Sequence, residues 1–161
     1  MSIQIFITGG TIAKSYDEIS GEFIFDTEHL TTMLEQARCR TTVDMETLML
    51  KDSLDMDDVD REIIYQSVEN SKADKILVTH GTDTMIETAQ KLSAIENKTI
   101  VLTGAMIPYA FKNSDALFNV GTAFGALGCL DAGVYLAMNG QIFIWNNVQK
   151  DKSAGEFITL S

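Results

Sequence analysis

Short apolar runs alternate along the chain with longer segments in which apolar residues recur every three or four positions. The runs predict buried strands, and the second pattern predicts amphipathic helices. We expect strands at 3–8, 42–50, 75–80 and 98–105, followed by two closing strands, GVYLAMNG and QIFIW, that form a hairpin across Asn139-Gly140.

Four helices are predicted between these strands: from residue 26 or 27 to 38, from 55 to 70, from 82 to 95 and from 115 to 130. In the second helix, acidic residues at the amino end suit the helix dipole, and the residues expected to face the core are Val59, Ile63, Ile64 and Val68. A long polar loop is expected to end near Phe25. The tail KDKSAGEFITLS is expected to be the end of a domain or the start of a linker.

This alternation of strands and helices is typical of a parallel sheet with helices on both faces. The sequence therefore predicts an α/β fold, with one three-layer α/β/α domain over residues 1–161, a mainly parallel sheet and an antiparallel hairpin at its C-terminal end. If the strand order is 2-1-3-4, as in flavodoxin-like proteins, the first and third strands are neighbours where the order reverses.

Composition and charge narrow the classes of function. An apolar fraction of 45% with a single proline indicates a globular chain, and the net charge of -11 argues against nucleic acid or an anionic membrane as a partner. No secretory signal or membrane-spanning run is recognisable, so we expect a cytoplasmic protein with Cys39 and Cys129 as buried or half-buried free thiols. The scattered Cys and His residues argue against a zinc site.

Hydroxyl, carboxylate and glycine residues collect where the predicted strands end. The first strand ends in TGGT (8–11), the second is followed by Asp52-Ser53, the third ends in HGTDT (80–84) and the fourth in TGA (103–105). The carboxyl ends of parallel strands share one edge of the sheet, and ligands bind there beside the switch point. We therefore expect Thr11 and the pair Thr82-Asp83 to face one crevice.

Each of these features also has a simpler structural explanation. The Gly9-Gly10 pair suits a turn, or a loop that holds phosphate on backbone N–H groups, although no glycine-rich nucleotide motif is present and Lys14 is the only nearby cation. Thr82 and Asp83 suit a helix cap, and Ser53 suits a turn. Lys98 suits an exposed strand edge, and His80 a hydrogen-bonded core position.

Four motifs, taken in order, resemble those of one family. TGGTIA (8–13), KDSLDM (51–56), VTHGTDTMIETA (78–89) and VLTGAMIP (101–108) are similar to segments of the bacterial-type L-asparaginase/glutaminase family. The resemblance covers nearly the whole chain but only the N-terminal domain of that family. It implies a threonine-dependent amidohydrolase that needs no metal or other cofactor, acts on a small amide amino acid and forms a homo-oligomer, either dimer or tetramer.

The resemblance also implies roles for particular residues. Thr11 matches the nucleophile, and Thr82, Asp83 and Lys98 match a relay in which a lysine lies between a hydroxyl and a carboxylate. The resemblance implies that Ser53 binds the α-carboxylate of the substrate and that Asp83 binds its α-ammonium. The loops of Gly10 and Gly81 are expected to present backbone N–H groups to the oxyanion formed at the amide carbon.

The sequence departs from the family pattern in four places, one of which is residues 115–119, which read DALFN where the family has DGPFN. The candidates for the family's loop tyrosine are Tyr16 and Phe23, of which only Tyr16 has a hydroxyl, and Ile107 stands where the family has an arginine. The chain also stops before the family's C-terminal domain, whose glutamate reaches a partner subunit's site. Two functions are therefore expected: an active short amidohydrolase, or a non-catalytic or weakly active amino-acid-binding or assembly domain.

Overall fold

A computed structural model describes residues 1–160, and within them it contains ten strands and four α-helices. The strands are β1 Ser2–Gly9, β2 Lys14–Asp17, β3 Glu22–Phe25, β4 Thr42–Lys51, β5 Lys75–Thr79, β6 Thr99–Thr103, β7 Gly133–Met138, β8 Gln141–Ile144, β9 Gln149–Asp151 and β10 Glu156–Ile158. The helices are α1 His29–Gln36, α2 Asp58–Asn70, α3 Met85–Leu92 and α4 Ala116–Cys129, with short 3-10 turns at Thr11–Ala13 and Ser53–Asp55.

The main sheet has six strands in the order β4-β1-β5-β6-β7-β8. Its first five strands are parallel and β8 is antiparallel to β7, so the predicted α/β class and the 2-1-3-4 order of the first four predicted strands are both confirmed. The predicted hairpin is confirmed as well. Asn139 and Gly140, at φ 56° and 70°, form its two-residue turn, which requires positive φ at both positions.

Two apolar clusters, one on each face of the sheet, explain why the central strands are continuous apolar runs. Successive residues of β5 alternate between them: Ile76 and Val78 pack with α2 and α3, whereas Leu77 packs with α1 and α4. A strand covered on both faces has no solvent side and needs no polar alternation. The predicted three-layer arrangement is thus confirmed.

The start of α2 differs from the prediction. Asp57 and Asp60 form a capping box, which makes Asp58 the first helical residue. The buried stripe of the helix then falls on Asp60, Arg61, Ile64 and Val68, so Ile64 and Val68 face the core as predicted. The predicted inward orientation of Val59 and Ile63 is wrong: they are 67% and 44% exposed.

Two segments in which no strand was predicted form small hairpins. The predicted polar loop before Phe25 contains β2 and β3, and the predicted tail, whose last residue lies outside the described residues, contains β10 and all but the first residue of β9. The sequence patterns of both hairpins are weak because each of their strands has only three or four residues. The thiol prediction holds for Cys39, which is half-buried, and is wrong for Cys129, which is exposed at the end of α4. None of the helices between residues 1 and 160 has the length and apolar character needed to cross a membrane.

Candidate functional site

Three loops meet at the carboxyl edge of the sheet, following β1, β4 and β5. Gly10, at φ +77°, packs so closely on the β5 loop that a Cβ there would lie 2.5 Å from the Gly81 nitrogen. The Gly10 N–H donates to the Lys51 carbonyl at 2.9 Å. A Cβ on Gly81 would in turn lie 2.7 Å from the Ser53 Oγ. The loops that carry Thr11, Ser53 and Thr82 are therefore in direct contact.

We expect Gly10→Ala to destabilise the protein and to abolish any activity of this edge. Its positive φ and the backbone 2.5 Å from the added Cβ leave no room for a side chain, and such a conformation with a Cβ costs at least about 2 kcal/mol. Urea unfolding measures the change. The matched control is Gly125→Ala in α4, where a Cβ meets open space, and it should raise the unfolding free energy by about 0.5–1 kcal/mol. Equal unfolding free energies for Gly10→Ala and the unmodified chain would contradict this close packing.

Thr11 is the first residue of the 3-10 turn that follows β1, and it is half-buried. Its hydroxyl makes no hydrogen bond with any group in residues 1–160, so both its proton and its lone pairs are available to a ligand. The turn begins directly after the two positive-φ glycines, which place Thr11 beyond the end of the strand. The glycine pair thus makes a turn, as its simpler explanation held, and that turn presents a hydroxyl.

A lysine lies between the Thr82 hydroxyl and the Asp83 carboxylate, and it is Lys150. Its Nζ donates to Thr82 Oγ1 and to Asp83 Oδ1, both at 2.8 Å. The Lys150 side chain is only 11% exposed, whereas that of Asp83 is 39% exposed. The helix-cap explanation of Thr82 and Asp83 is wrong, because Thr84 is the N-cap of α3 and no side chain caps it.

The predicted assignment of Lys98 to this relay is wrong. Lys98 directly precedes β6 and donates to the carbonyls of Ser71 and Ala73, at 2.6 and 2.9 Å. It therefore lies at the amino edge of the sheet, and β6, with five residues, separates it from the carboxyl edge by roughly 16 Å. Lys150 was missed because its hairpin is too short to stand out in the sequence, and only tertiary packing brings it to Thr82.

Ser53 is bound to the start of α3 by a reciprocal pair of hydrogen bonds. Its Oγ accepts from the Thr84 N–H at 3.2 Å, and the Thr84 hydroxyl donates to the Ser53 carbonyl at 2.8 Å. The Ser53 residue is 3% exposed. Since its Oγ acts as an acceptor in this pair, and no acceptor for its hydroxyl proton is found among residues 1–160, that proton remains available as a donor.

His80 occupies a hydrogen-bonded core position, as its simpler explanation held. Its Nδ1 lies 2.7 Å from the Gly81 carbonyl, which can only accept, so Nδ1 carries the proton and Nε2 accepts from the Thr88 hydroxyl at 2.7 Å. Burial lowers the pKa of His80 to about 4; the hydrogen bond to Gly81 opposes this shift, and the positive charge of Arg61 adds to it. His80 is thus neutral at pH 7, and neither nitrogen is free to act as a base.

The buried His80 makes stability depend on pH. Its pKa is about 4 in the folded chain and 6.5 when unperturbed, so the unfolded chain binds more protons between these values. We expect the unfolding free energy to fall as the pH drops from 6.5 to 4, by about 3 kcal/mol in total. Urea unfolding at several pH values in this range measures the loss. His80→Gln cannot titrate and should flatten the profile; a profile of the same slope in both proteins would rule out His80 as its source.

The hairpin of β2 and β3 follows Thr11 and is tied to the other loops. Lys14 Nζ lies 2.7 Å from Asp52 Oδ1, which joins the hairpin to the end of β4. Tyr16 lies directly across from Phe23, with ring centroids 5.9 Å apart, and is 54% exposed. The Tyr16 hydroxyl makes no hydrogen bond to Thr11.

Ile107 is also exposed, and its N–H donates to Asp115 in the loop after β6.

A groove of about 690 Å³ lies away from this edge and is lined by residues near the amino ends of β1 and β4 and the carboxyl end of α2. Neither Thr11, Ser53, Thr82 nor Lys150 lines it. The candidate site at the carboxyl edge is therefore defined by its side chains and not by this groove.

Comparison with known proteins identifies one family. Residues 2–156 match the family model described as asparaginase, N-terminal. The chain is 32% identical over 165 residues to an L-asparaginase of Thermococcus kodakarensis, an alignment that covers 96% of this chain and 49% of that protein. It is also 32% identical over 148 residues to one subunit of a glutamyl-tRNA(Gln) amidotransferase from Methanococcus maripaludis, covering 87% of this chain and 35% of that protein.

Solved structures give the same result for the fold. The thermostable L-asparaginase from Thermococcus kodakarensis superposes with a TM-score of 0.87 at 29% identity, over 99% of this chain and 51% of that one. A probable cytoplasmic L-asparaginase from Campylobacter jejuni superposes with a TM-score of 0.85 at 29% identity, over 98% and 52%. The chain thus spans about half the length of the L-asparaginases it matches.

Proposed function

The chain belongs to the asparaginase family, whose N-terminal domain it matches over residues 2–156, and from this premise we propose that it is an amidohydrolase that releases ammonia from the side-chain amide of L-asparagine or a similar small amide amino acid. The observation that carries the proposal is the contact of Lys150 with both Thr82 and Asp83, on a loop that packs directly against the loop of Thr11.

Thr11 is the proposed nucleophile. Its oxygen attacks the amide carbon, its proton passes to the leaving nitrogen, and ammonia departs to leave an ester on Thr11. Water then cleaves the ester and restores the hydroxyl. The oxyanion formed at each step needs hydrogen-bond donors that are in place beforehand. The Gly10 N–H is committed to Lys51, so we assign this role to the backbone of the Gly81-Thr82 loop.

Lys150 is proposed to orient Thr82 for proton transfer. Because its Nζ donates to Thr82 Oγ1, the hydroxyl proton of Thr82 must point away from the lysine. We assign that proton to the side of Thr11, where Thr82 would pass protons between Thr11, the leaving nitrogen and water. The positive charge of the Lys150 ammonium is the part of this pair that would stabilise negative charge developing nearby. No metal or organic cofactor enters this scheme.

The head group of the substrate is proposed to bind between Asp83 and Ser53. The Asp83 carboxylate is partly exposed and has one oxygen bonded to Lys150, which leaves the other for an α-ammonium group. The Ser53 hydroxyl proton can be donated to an α-carboxylate. These two contacts favour an amino acid over a simple amide, because a simple amide lacks both charges.

Assembly and location stay predictions. A homo-oligomer agrees with the exposed apolar side chains of Phe118, Ile142 and Ile144, which are 64%, 43% and 57% exposed around α4 and the edge strand β8. The cytoplasmic location is tested by fractionation of the native cells. Sedimentation measures the oligomeric state.

Ammonia release by the purified chain tests the function. L-asparagine and L-glutamine are supplied separately, because one relative is an amidotransferase subunit, and acetamide serves as the amide without a head group. Ammonia from either amino acid, but not from acetamide, is expected. Binding of an amino acid by calorimetry with no ammonia would instead favour the alternative, a non-catalytic or weakly active amino-acid-binding domain. Thermal stabilisation by nucleotides alone would contradict both.

A further inference from the structure

The hairpin that carries Lys150 has little structure of its own. Its strands β9 and β10 have three residues each and form a separate two-stranded sheet that does not join the six-stranded one. A two-stranded hairpin by itself is marginally stable in water at best. Lys150, however, contacts two acceptors at 2.8 Å through a four-carbon side chain that is almost fully buried. Other contacts must therefore hold β9 in place, and two of them are the buried side chains of Val148, just before β9, and Phe157 on β10.

Asn139, in the turn of the β7–β8 hairpin, adds a polar contact. Its Oδ1 accepts the N–H of Phe157 at 2.8 Å. Phe157 is the register partner of Lys150 across the β9–β10 pair and is 1% exposed in the apolar core. The carboxamide thus holds the strand residue that lies directly opposite the lysine.

Asn139 is itself held by a side chain of α4. Its N–H donates to Oδ1 of Asn119, a fully buried side chain on α4, at 3.2 Å. Asn119 donates in turn to the Gly104 carbonyl and to Asp115, both at 2.9 Å. The chain of bonds therefore runs from the end of β6 and the start of α4, through Asn139, to β10 and the strand of Lys150.

We propose that Asn139 is a positioning residue. It fixes the position of the β9–β10 hairpin relative to the loop of Thr82 and Asp83, and so keeps Lys150 within hydrogen-bond distance of both. The proposal rests on the proposed function, since it takes Lys150 as part of the amidohydrolase site. Burial of the Phe157 ring anchors one side chain, but a ring in an apolar cluster tolerates small shifts. A directional hydrogen bond to the Phe157 N–H fixes the strand itself.

A small displacement is expected to matter for the reaction. Lys150 must satisfy two acceptors on neighbouring residues at once, so a shift of the hairpin by about 1 Å breaks one of the contacts, and misplacements of this size cost about 100-fold in rate when a reacting geometry depends on them. The loss should appear in kcat through Thr82, and KM should rise as well, because Lys150 also bonds Asp83, the proposed partner of the α-ammonium.

Two substitutions at Asn139 separate its side chain from its backbone. Asn-Gly, Asp-Gly and Gly-Gly all suit a two-residue turn with positive φ, so Asn139→Gly and Asn139→Asp both keep the hairpin. Asn139→Gly removes the acceptor, whereas Asn139→Asp keeps an oxygen in its place. We expect kcat per folded molecule to fall by about 10- to 100-fold in Asn139→Gly and to return to within a few-fold of the unmodified enzyme in Asn139→Asp.

Amide hydrogen exchange and NMR give readouts that do not depend on activity. The Phe157 amide should exchange faster in Asn139→Gly and stay protected in Asn139→Asp. The ¹³C shift of the Asp83 carboxyl should move in Asn139→Gly toward its value in Lys150→Met. If the unmodified chain releases no ammonia, the proposed function fails while these two readouts still test the positioning. An unchanged kcat per folded molecule in Asn139→Gly, or an Asp83 shift equal to that of the unmodified chain, would overturn the proposal.

Discussion

Replacing Thr11 by alanine should remove ammonia release from L-asparagine almost completely while leaving the fold intact. Loss of the nucleophile in enzymes that form a covalent intermediate lowers kcat by about 10⁴-fold or more. The hydroxyl of Thr11 makes no hydrogen bond within the described part of the chain, and the residue is only half-buried, so the unfolding free energy should change by less than about 0.5 kcal/mol. An ammonia assay and urea unfolding on the same preparation measure both.

Two further variants make the Thr11 test specific. Thr11→Ser keeps a hydroxyl but loses the β-branch that restricts χ1, so it should retain measurable turnover at a reduced kcat. Thr31→Ala removes another half-buried threonine, on α1, and should leave kcat unchanged. Turnover in Thr11→Ala equal to that in Thr31→Ala would show that Thr11 is not the nucleophile.

Replacing Lys150 by methionine should lower kcat by about 10²- to 10⁴-fold, the usual range for loss of a proton-transfer or electrostatic group. Methionine keeps most of the apolar stem of lysine and loses only the donor. Thr82 and Asp83 would then lose their shared partner at 2.8 Å. Because Asp83 is partly exposed, water can replace that partner, and the unfolding free energy should fall much less steeply than the rate.

The opposite behaviour is expected of Lys98→Met. The Lys98 ammonium donates to two carbonyls that follow α2, so its loss should cost about 1.5–3 kcal/mol of stability, the range for hydrogen bonds to a charged group. The kcat of the Lys98→Met variant should match that of the unmodified enzyme, since Lys98 lies at the amino edge of the sheet, away from the candidate site. The pair of lysines thus separates rate from stability. If Lys98→Met loses rate and Lys150→Met does not, the relay has been assigned to the wrong lysine.

Most of the fold follows from local patterns in the sequence. The apolar runs of β1, β5 and β6 report burial on both faces, and Asn139-Gly140 reports the positive φ of its hairpin turn. These features depend on neighbours along the chain, so a single sequence contains them. The errors fall where a local signal is weak, as in the hairpins of β2–β3 and β9–β10, or ambiguous by one helical position, as for Val59 and Ile63.

The candidate site divides in the same way. The sequence by itself determined that Thr11, Ser53 and the pair Thr82-Asp83 follow strands whose carboxyl ends share one edge, because strand direction fixes that edge. Only the tertiary structure decided which lysine joins them. Lys98 and Lys150 are alike as residues, but Lys150 lies on a hairpin whose register partner, Phe157, is hydrogen-bonded to Asn139. Contacts between segments so far apart depend on packing, which no local pattern contains.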